Sequence, residues 1–200
     1  MNKHSQRRSI QLSRECIAAA SLELIDTNGL EAFSARRLAQ ALKCEAMSLY
    51  HHVADMGDAL DLVVDLLLGS LDVESSHLNP REALSELSRA YLGLADQHPN
   101  AFPLVAGRRW RTPRAIAVAY AGTKLFQTLN LPPREASRRA RVLGAYLNGA
   151  GLAIAAWRKT PDMHPVADAN LLGKKTALSA EAVRTDLASG LTRLLEILVA

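Results

Sequence analysis

Between Ser34 and Val53 the chain holds two amphipathic stretches too short to stand as helices by themselves, with only three residues between them. The first, Ala35 to Leu42, is barely two turns long, and the second, Ala46 to His52, is no longer. Lys43-Cys44-Glu45 joins them. Isolated helices below about 12–15 residues are marginal in water, so both stretches must be held by packing on neighbours. Those neighbours are legible on either side. Upstream, Ser13 opens a longer helix, and Leu12 and Ile17 have the spacing of a hydrophobic staple around that cap. Ile17, Ala20, Ser21, Leu24 and Ile25 fall on one face at helical period, and Asn28-Gly29 supplies the stop. Ser34 caps the first short stretch, with Phe33 and Leu38 placed for a second staple. Downstream, Asp55 and Asp58 fit a capping pattern for a helix whose Leu60, Val63, Val64, Leu67 and Leu68 are apolar. Two short helices joined by a tight turn and clamped by longer ones form a helix-turn-helix arrangement.

The rest of the chain also reads as helices. Asp72 to Leu78 is polar and rich in serine, a boundary that predicts two domains, 11–71 and 72–200. Asn79-Pro80-Arg81-Glu82 then combines an N-cap, a proline at the first helical position and a glutamate at the third. That helix runs to about Gln97 with Leu84, Leu87, Tyr91 and Leu94 inward. A short segment covers Ala101 to Gly107, and Thr112-Pro113 opens another helix reaching Leu129. The longest helix spans Arg134 to about Lys159. Pro161 to Lys175 reads as a loop, and Ser179 caps a last helix with a stripe of Val183, Leu187, Leu191, Leu194 and Leu198. Alternating β-branched runs are missing, while Ala, Leu and Arg abound. The expected fold is all-α, with about nine helices.

Several classes of protein fit poorly. Cys16 and Cys44 are too few and too far apart for a disulfide framework, which points to a reducing compartment. Met1 to Ile10 is polar and basic without an apolar signal core, and the longest apolar run, Gly144 to Trp157, is too short to span a bilayer and contains Asn148. A cytoplasmic, membrane-free protein is expected. The formal charge of +4 says little, but Lys3, Arg7 and Arg8 form a short basic arm suited to phosphates. An enzyme finds no support. Glu74-Ser75-Ser76-His77 is a single Glu-x-x-His where a di-metal bundle needs two, and His164 and Asp168 sit in a loop without a third ligand. No phosphate loop, nucleotide-binding glycine pattern or nucleophile elbow occurs. No catalytic residue, metal site or cofactor is expected.

At Ser34-Ala35-Arg36-Arg37-Leu38-Ala39-Gln40-Ala41-Leu42 and Met47-Ser48-Leu49-Tyr50-His51-His52-Val53, with Asn28-Gly29-Leu30 before and the helix after Asp55, the chain resembles the TetR family of bacterial transcriptional regulators. The resemblance covers about Leu12 to Leu71, and Ser48-Leu49-Tyr50-x-His52-Val53 brings it nearest the tetracycline-repressor branch. Leu38, Ala39 and Leu42 then face inward, and Leu49 and Val53 anchor the recognition helix from beneath. Its outer side offers Ala46, Met47, Ser48, Tyr50, His51 and His52 to the major groove. Ala46 and Met47 can give apolar contacts only, while the family pattern sets Tyr50 and His52 against phosphates. Arg36 is the candidate for a charged contact to guanine or phosphate, and Ser34 can cap its helix beside a phosphate. Two departures stand out. Lys43 occupies the turn where relatives usually carry glycine, and Ala54, Met56 and Gly57 supply no lysine at the start of the fourth helix.

For the second domain the resemblance implies a homodimer through the last two long helices, with Gly144, Gly151, Leu187, Leu191, Leu194 and Leu198 as interface residues. A two-fold protein would set its recognition helices about 34 Å apart in successive major grooves of a palindromic DNA operator. The resemblance also implies a small-molecule effector, whose pocket Phe102, Trp110, Phe126, Tyr146, Asn148 and Trp157 would line, and repression relieved by that molecule. Val105-Ala106-Gly107 lacks the histidine that the tetracycline repressors use on their magnesium-bound drug, so a tetracycline is not the expected effector. The alternative is a helical ligand-sensing or interaction module without sequence-specific DNA binding.

Overall fold

The computed structural model describes residues 12–72, 79–108, 110–159 and 179–200. Lys3, Arg7, Arg8, the Glu74–His77 stretch, the 161–175 loop and the His164/Asp168 pair lie outside those residues. The described chain is all α-helical, with nine α-helices and one short 3₁₀ turn. Packing groups the residues into two units, 1–63 and 64–200, and helix α4 continues through the division.

The first unit is built from α1 (Arg14–Asn28), the 3₁₀ turn (Leu30–Ala32), α2 (Ala35–Leu42), α3 (Ala46–Leu49) and the first half of α4 (Met56–Gly69). The starts of α1, α2 and α4 are each set by a short polar side chain that satisfies an orphan helix amide. Ser13 Oγ accepts from the Cys16 amide at 3.2 Å, and Ser34 Oγ accepts from the Arg37 amide at 3.4 Å. Asp55 Oδ1 accepts from the Asp58 amide at 2.8 Å, and Asp58 Oδ2 in turn accepts from the Ala54 amide at 3.0 Å. Gly29 ends α1 with φ 80°, a conformation that costs a residue without Cβ little. Ile17, Leu38, Ala39, Leu49, Val53 and Ala59 form the buried cluster of this unit. Leu12 and Phe33, the outer residues of the two expected staples, pack against the cluster that contains Ile17 and Leu38.

The second unit contains α5 (Pro80–Gln97), α6 (Phe102–Gly107), α7 (Pro113–Gln127), α8 (Pro133–Lys159) and α9 (Ala180–Val199). α8 is its axis, packed by α5, α6, α7 and α9. The Asn79 cap and Glu82 form the reciprocal box that the sequence predicts. α7 stops at Gln127, two residues short of the expected Leu129, because the Leu129 and Asn130 amides bond in tighter turns and Asn130 takes φ 59°. The second half of α4 belongs here. Thr112 Oγ1, the cap of α7, donates to Asp65 Oδ1 at 2.5 Å. Among the described residues no helix is long and apolar enough to cross a membrane.

Candidate nucleic-acid interface and ligand cavity

The regular part of α3 is four residues long, shorter than the predicted Ala46–His52. The chain nevertheless keeps turning: the His51 and His52 amides donate to the Ser48 and Leu49 carbonyls at 3.4 and 2.9 Å, and the Val53 amide donates to the Leu49 carbonyl at 3.0 Å. The first two are i→i+3 closures, which commonly tighten a helix end, and the third is an i→i+4 turn. They carry the side chains of Tyr50, His51 and His52 around the same axis as those of α3.

Burial sorts this segment into two faces. Leu49 is fully buried and Val53 is 2% exposed, so both reach down into the cluster of α1, α2 and α4. Met47 is 70% exposed and Tyr50 42% exposed. His51 is exposed, and Ser48 and His52 are half-buried. An exposed methionine and tyrosine on a helix anchored by two buried aliphatic residues give a surface free to enter a groove. Ala46 sits differently from the expectation. It is half-buried and packs against the cluster, because the first residue of α3 lies where the chain leaves the turn.

Arg36 and Ser34 are both exposed at the start of α2, as is Arg37. Lys43 adopts φ 54° and ψ 41°, the left-handed conformation that relatives' glycine would take without strain. Its amide donates to the Gln40 carbonyl at 3.2 Å and that of Cys44 to the Ala39 carbonyl at 3.0 Å, closing α2. The lysine side chain is left exposed beside the recognition segment.

Sequence reasoning missed one residue that positions this surface. Arg14 Nη1 of α1 donates to the His52 carbonyl at 2.6 Å, and its guanidinium also forms a two-pronged pair with Asp58 at 2.8 and 3.1 Å. One side chain thereby ties α1, the end of the recognition segment and the start of α4 together. The hydrogen bond from Arg14 holds the Asp58 carboxyl below its ordinary range, with the Ala54 amide adding to the effect. No short-range motif marks this contact, which joins residues far apart in the chain.

In the second unit a cavity of about 390 Å³ opens between α5, α7 and α8. That is at the lower end of the ~300–1,000 Å³ range of ligand clefts. Of the six predicted lining residues, Trp110, Phe126 and Asn148 border it. Phe102 does not. It is fully buried behind the cavity, edge-on to Tyr91 with ring centroids 5.5 Å apart, and against Gly151. Tyr146 points to the other side of α8, where its hydroxyl donates to the Leu187 carbonyl of α9 at 2.7 Å. Trp157, near the end of α8, also lies away from the lining. The reason is helical geometry: with 3.6 residues per turn, Tyr146 and Asn148 stand on nearly opposite sides. The sequence treated Tyr91 as plain core, yet its buried hydroxyl donates to Asn148 Oδ1 at 2.6 Å across the cavity wall. Burial pushes the Tyr91 phenol well above its ordinary value, so it stays a neutral donor.

The predicted interface residues separate in the same way. Gly144 lines the cavity and Gly151 meets the Phe102 ring of its own subunit. Leu191 and Leu198 are buried within the subunit, while Leu187 and Leu194 are half-buried. α8 instead exposes Val142, Ala145, Gly149, Leu152 and Ala156 at alternating three- and four-residue steps, and α9 exposes Ile197. Among the described residues no three His, Cys, Asp or Glu side chains are grouped to hold a metal ion.

A short helix propped outward on a small core after a three-residue turn is a helix-turn-helix arrangement, joined in one chain to a second helical unit that holds a cavity. No family model matches the chain. It is 35% identical over 108 residues to an HTH-type transcriptional regulator of Saccharopolyspora erythraea, covering 53% of this chain and 45% of that protein. Over 147 residues it is 28% identical to the HTH-type transcriptional repressor DrrR1 of Streptomyces coeruleorubidus, covering 70% of this chain and 52% of that one. The chain thus spans about half the length of these curated relatives. Its fold is that of the Streptomyces coelicolor TetR family protein ActR, solved with actinorhodin, at a TM-score of 0.77 and 23% identity over 96% of this chain and 97% of that one. The chain thus shares the fold of TetR family structures, and part of its sequence is similar to HTH-type transcriptional regulators.

Proposed function

We propose that the protein is a dimeric, ligand-responsive repressor that binds a palindromic DNA operator and leaves it when a small molecule fills the cavity. The observation that carries this reading is the outward face of the recognition segment: Met47 and Tyr50 exposed above buried Leu49 and Val53. Arg36, Arg37 and Lys43 stand exposed on the adjoining helix and turn, where they can reach phosphates. Met47 suits apolar contact with a thymine methyl, and Tyr50 and His52 suit donation to phosphate oxygens. Acting as a repressor in particular rests on analogy with relatives such as DrrR1, whose name describes it so.

The dimer reading moves to a new face. Val142, Ala145, Gly149 and Leu152 of α8, flanked by Leu194 and Ile197 of α9, form an apolar strip with small residues that let a second copy's helices come close. This strip takes the place of Gly144, Gly151, Leu191 and Leu198, which are used inside the subunit. Two copies joined there would present two recognition helices to successive major grooves.

Fluorescence anisotropy with labelled DNA from upstream of the gene, against random duplex and at two salt concentrations, tests the reading. Tighter binding to the upstream DNA, weakening steeply as salt rises, is the expected outcome. Equal binding to both duplexes would favour the sensing module without sequence-specific DNA binding.

A further inference from the structure

Among the described residues the lining of the cavity contains no aspartate or glutamate, and its one cationic side chain is Arg141. Its polar groups divide into those already committed and those left open. Ser88 Oγ donates to the Leu84 carbonyl at 2.6 Å, Thr123 Oγ1 to that of Ala119 at 3.4 Å, and Trp110 Nε1 to that of Val105 at 2.9 Å. The Tyr91 hydroxyl donates to Asn148 Oδ1. Three donor groups remain without an acceptor among the described residues: the Asn148 amide NH₂, the Ser137 hydroxyl and the Arg141 guanidinium. The open chemistry of the cavity is therefore donor-rich and positive, set among apolar walls of Leu, Val and Phe.

We propose, resting on the ligand-responsive reading above, that the cavity selects an organic anion. Its body is apolar, its carboxylate, sulfonate or phenolate meets Arg141, and a second acceptor meets the Asn148 amide. A cationic ligand would face Arg141 with no carboxylate among the described lining residues to offset the repulsion. Arg141 is exposed and Tyr91–Asn148 is recessed, so the anionic group sits at the open side and the apolar body lies inward.

Two fluorescent probes on one scaffold test the class: anilinonaphthalene sulfonate, and N-phenylnaphthylamine, which lacks the sulfonate. A charge-assisted hydrogen bond to Arg141 makes the sulfonate bind the wild-type protein about tenfold tighter than the neutral probe. Arg141→Gln should bring the two to parity with neutral-probe affinity unchanged, whereas Arg141→Lys keeps most of the preference. Gly144 has open space where its Cβ would be and lines the cavity, so Gly144→Phe should plug it and remove both signals. Equal or tighter binding of the neutral probe, a preference that survives Arg141→Gln, or signals that persist in Gly144→Phe would each overturn the proposal. Titrations are made without DNA. A reversed preference thus refutes the ligand class alone, and failure to discriminate upstream DNA with the preference intact refutes only the regulatory reading.

Discussion

The two units of this protein use their interiors in opposite ways. The first closes a small aliphatic cluster beneath a helix so that the helix can stand outward; Leu49 and Val53 are the roots and Met47 and Tyr50 the working surface. The second leaves its interior unfilled. α5, α7 and α8 converge around about 390 Å³ of open space, walled by apolar residues and by the Tyr91–Asn148 pair. Reading DNA needs a rigid protrusion, and close packing supplies rigidity. Accepting a ligand needs a hollow, which forfeits the contacts that would have filled it. On the proposed function, one chain keeps its dense packing where a fixed shape would be presented to DNA and its void where a ligand would be received.

That contrast breaks most visibly at Leu49. Leu49→Ala should cost about 2–5 kcal/mol of stability, seen as a lowered thermal midpoint, whereas Tyr50→Ala should leave the melt unchanged and weaken operator binding in anisotropy. Equal destabilisation by the two would make Tyr50 part of the core.

The hollow unit can be probed with two glycines of one helix. A Cβ at Gly151 would lie 2.3 Å from the Phe102 ring, so Gly151→Ala should cost about 1–3 kcal/mol through overpacking. Gly144 borders open space, and Gly144→Ala should instead add about 0.5–1 kcal/mol from helix propensity alone. Opposite signs in chemical denaturation sharpen the picture of a void on one side of α8 and dense packing further along it. Equal signs would erase it.

A similarly small effect is expected at the turn. Lys43→Gly relieves a left-handed residue and should stabilise the first unit by about 1 kcal/mol. The same change removes an exposed cation, so the slope of operator affinity against salt should become shallower. A stabilised variant with an unchanged slope would take Lys43 out of the DNA contact.

Much of the first unit could be read directly from the chain. Ser13, Ser34 and Asp55 act on amides three residues away, and the Leu12–Ile17 and Phe33–Leu38 staples span one turn, so a linear reading contains all that these devices need. Arg14 escaped it because its partners, His52 and Asp58, are brought near only by the packing of three helices. The cavity was half legible for a similar reason. Listing aromatic and polar residues of α6 to α8 caught Trp110, Phe126 and Asn148, but could not tell which side of α8 would face α5.

Local chemistry written in the sequence determined where helices start and stop, which two are too short to stand alone, and which residues root the recognition segment. Only the tertiary structure decided that Asn148 looks into a cavity while Tyr146 bonds α9, and that Gly151 seats an aromatic ring while Gly149 is left bare on the surface. Caps and staples act across a single turn and carry their geometry with them. The facing of a long helix is settled by several distant segments at once, and no periodicity within that helix can choose among sides that are all partly apolar.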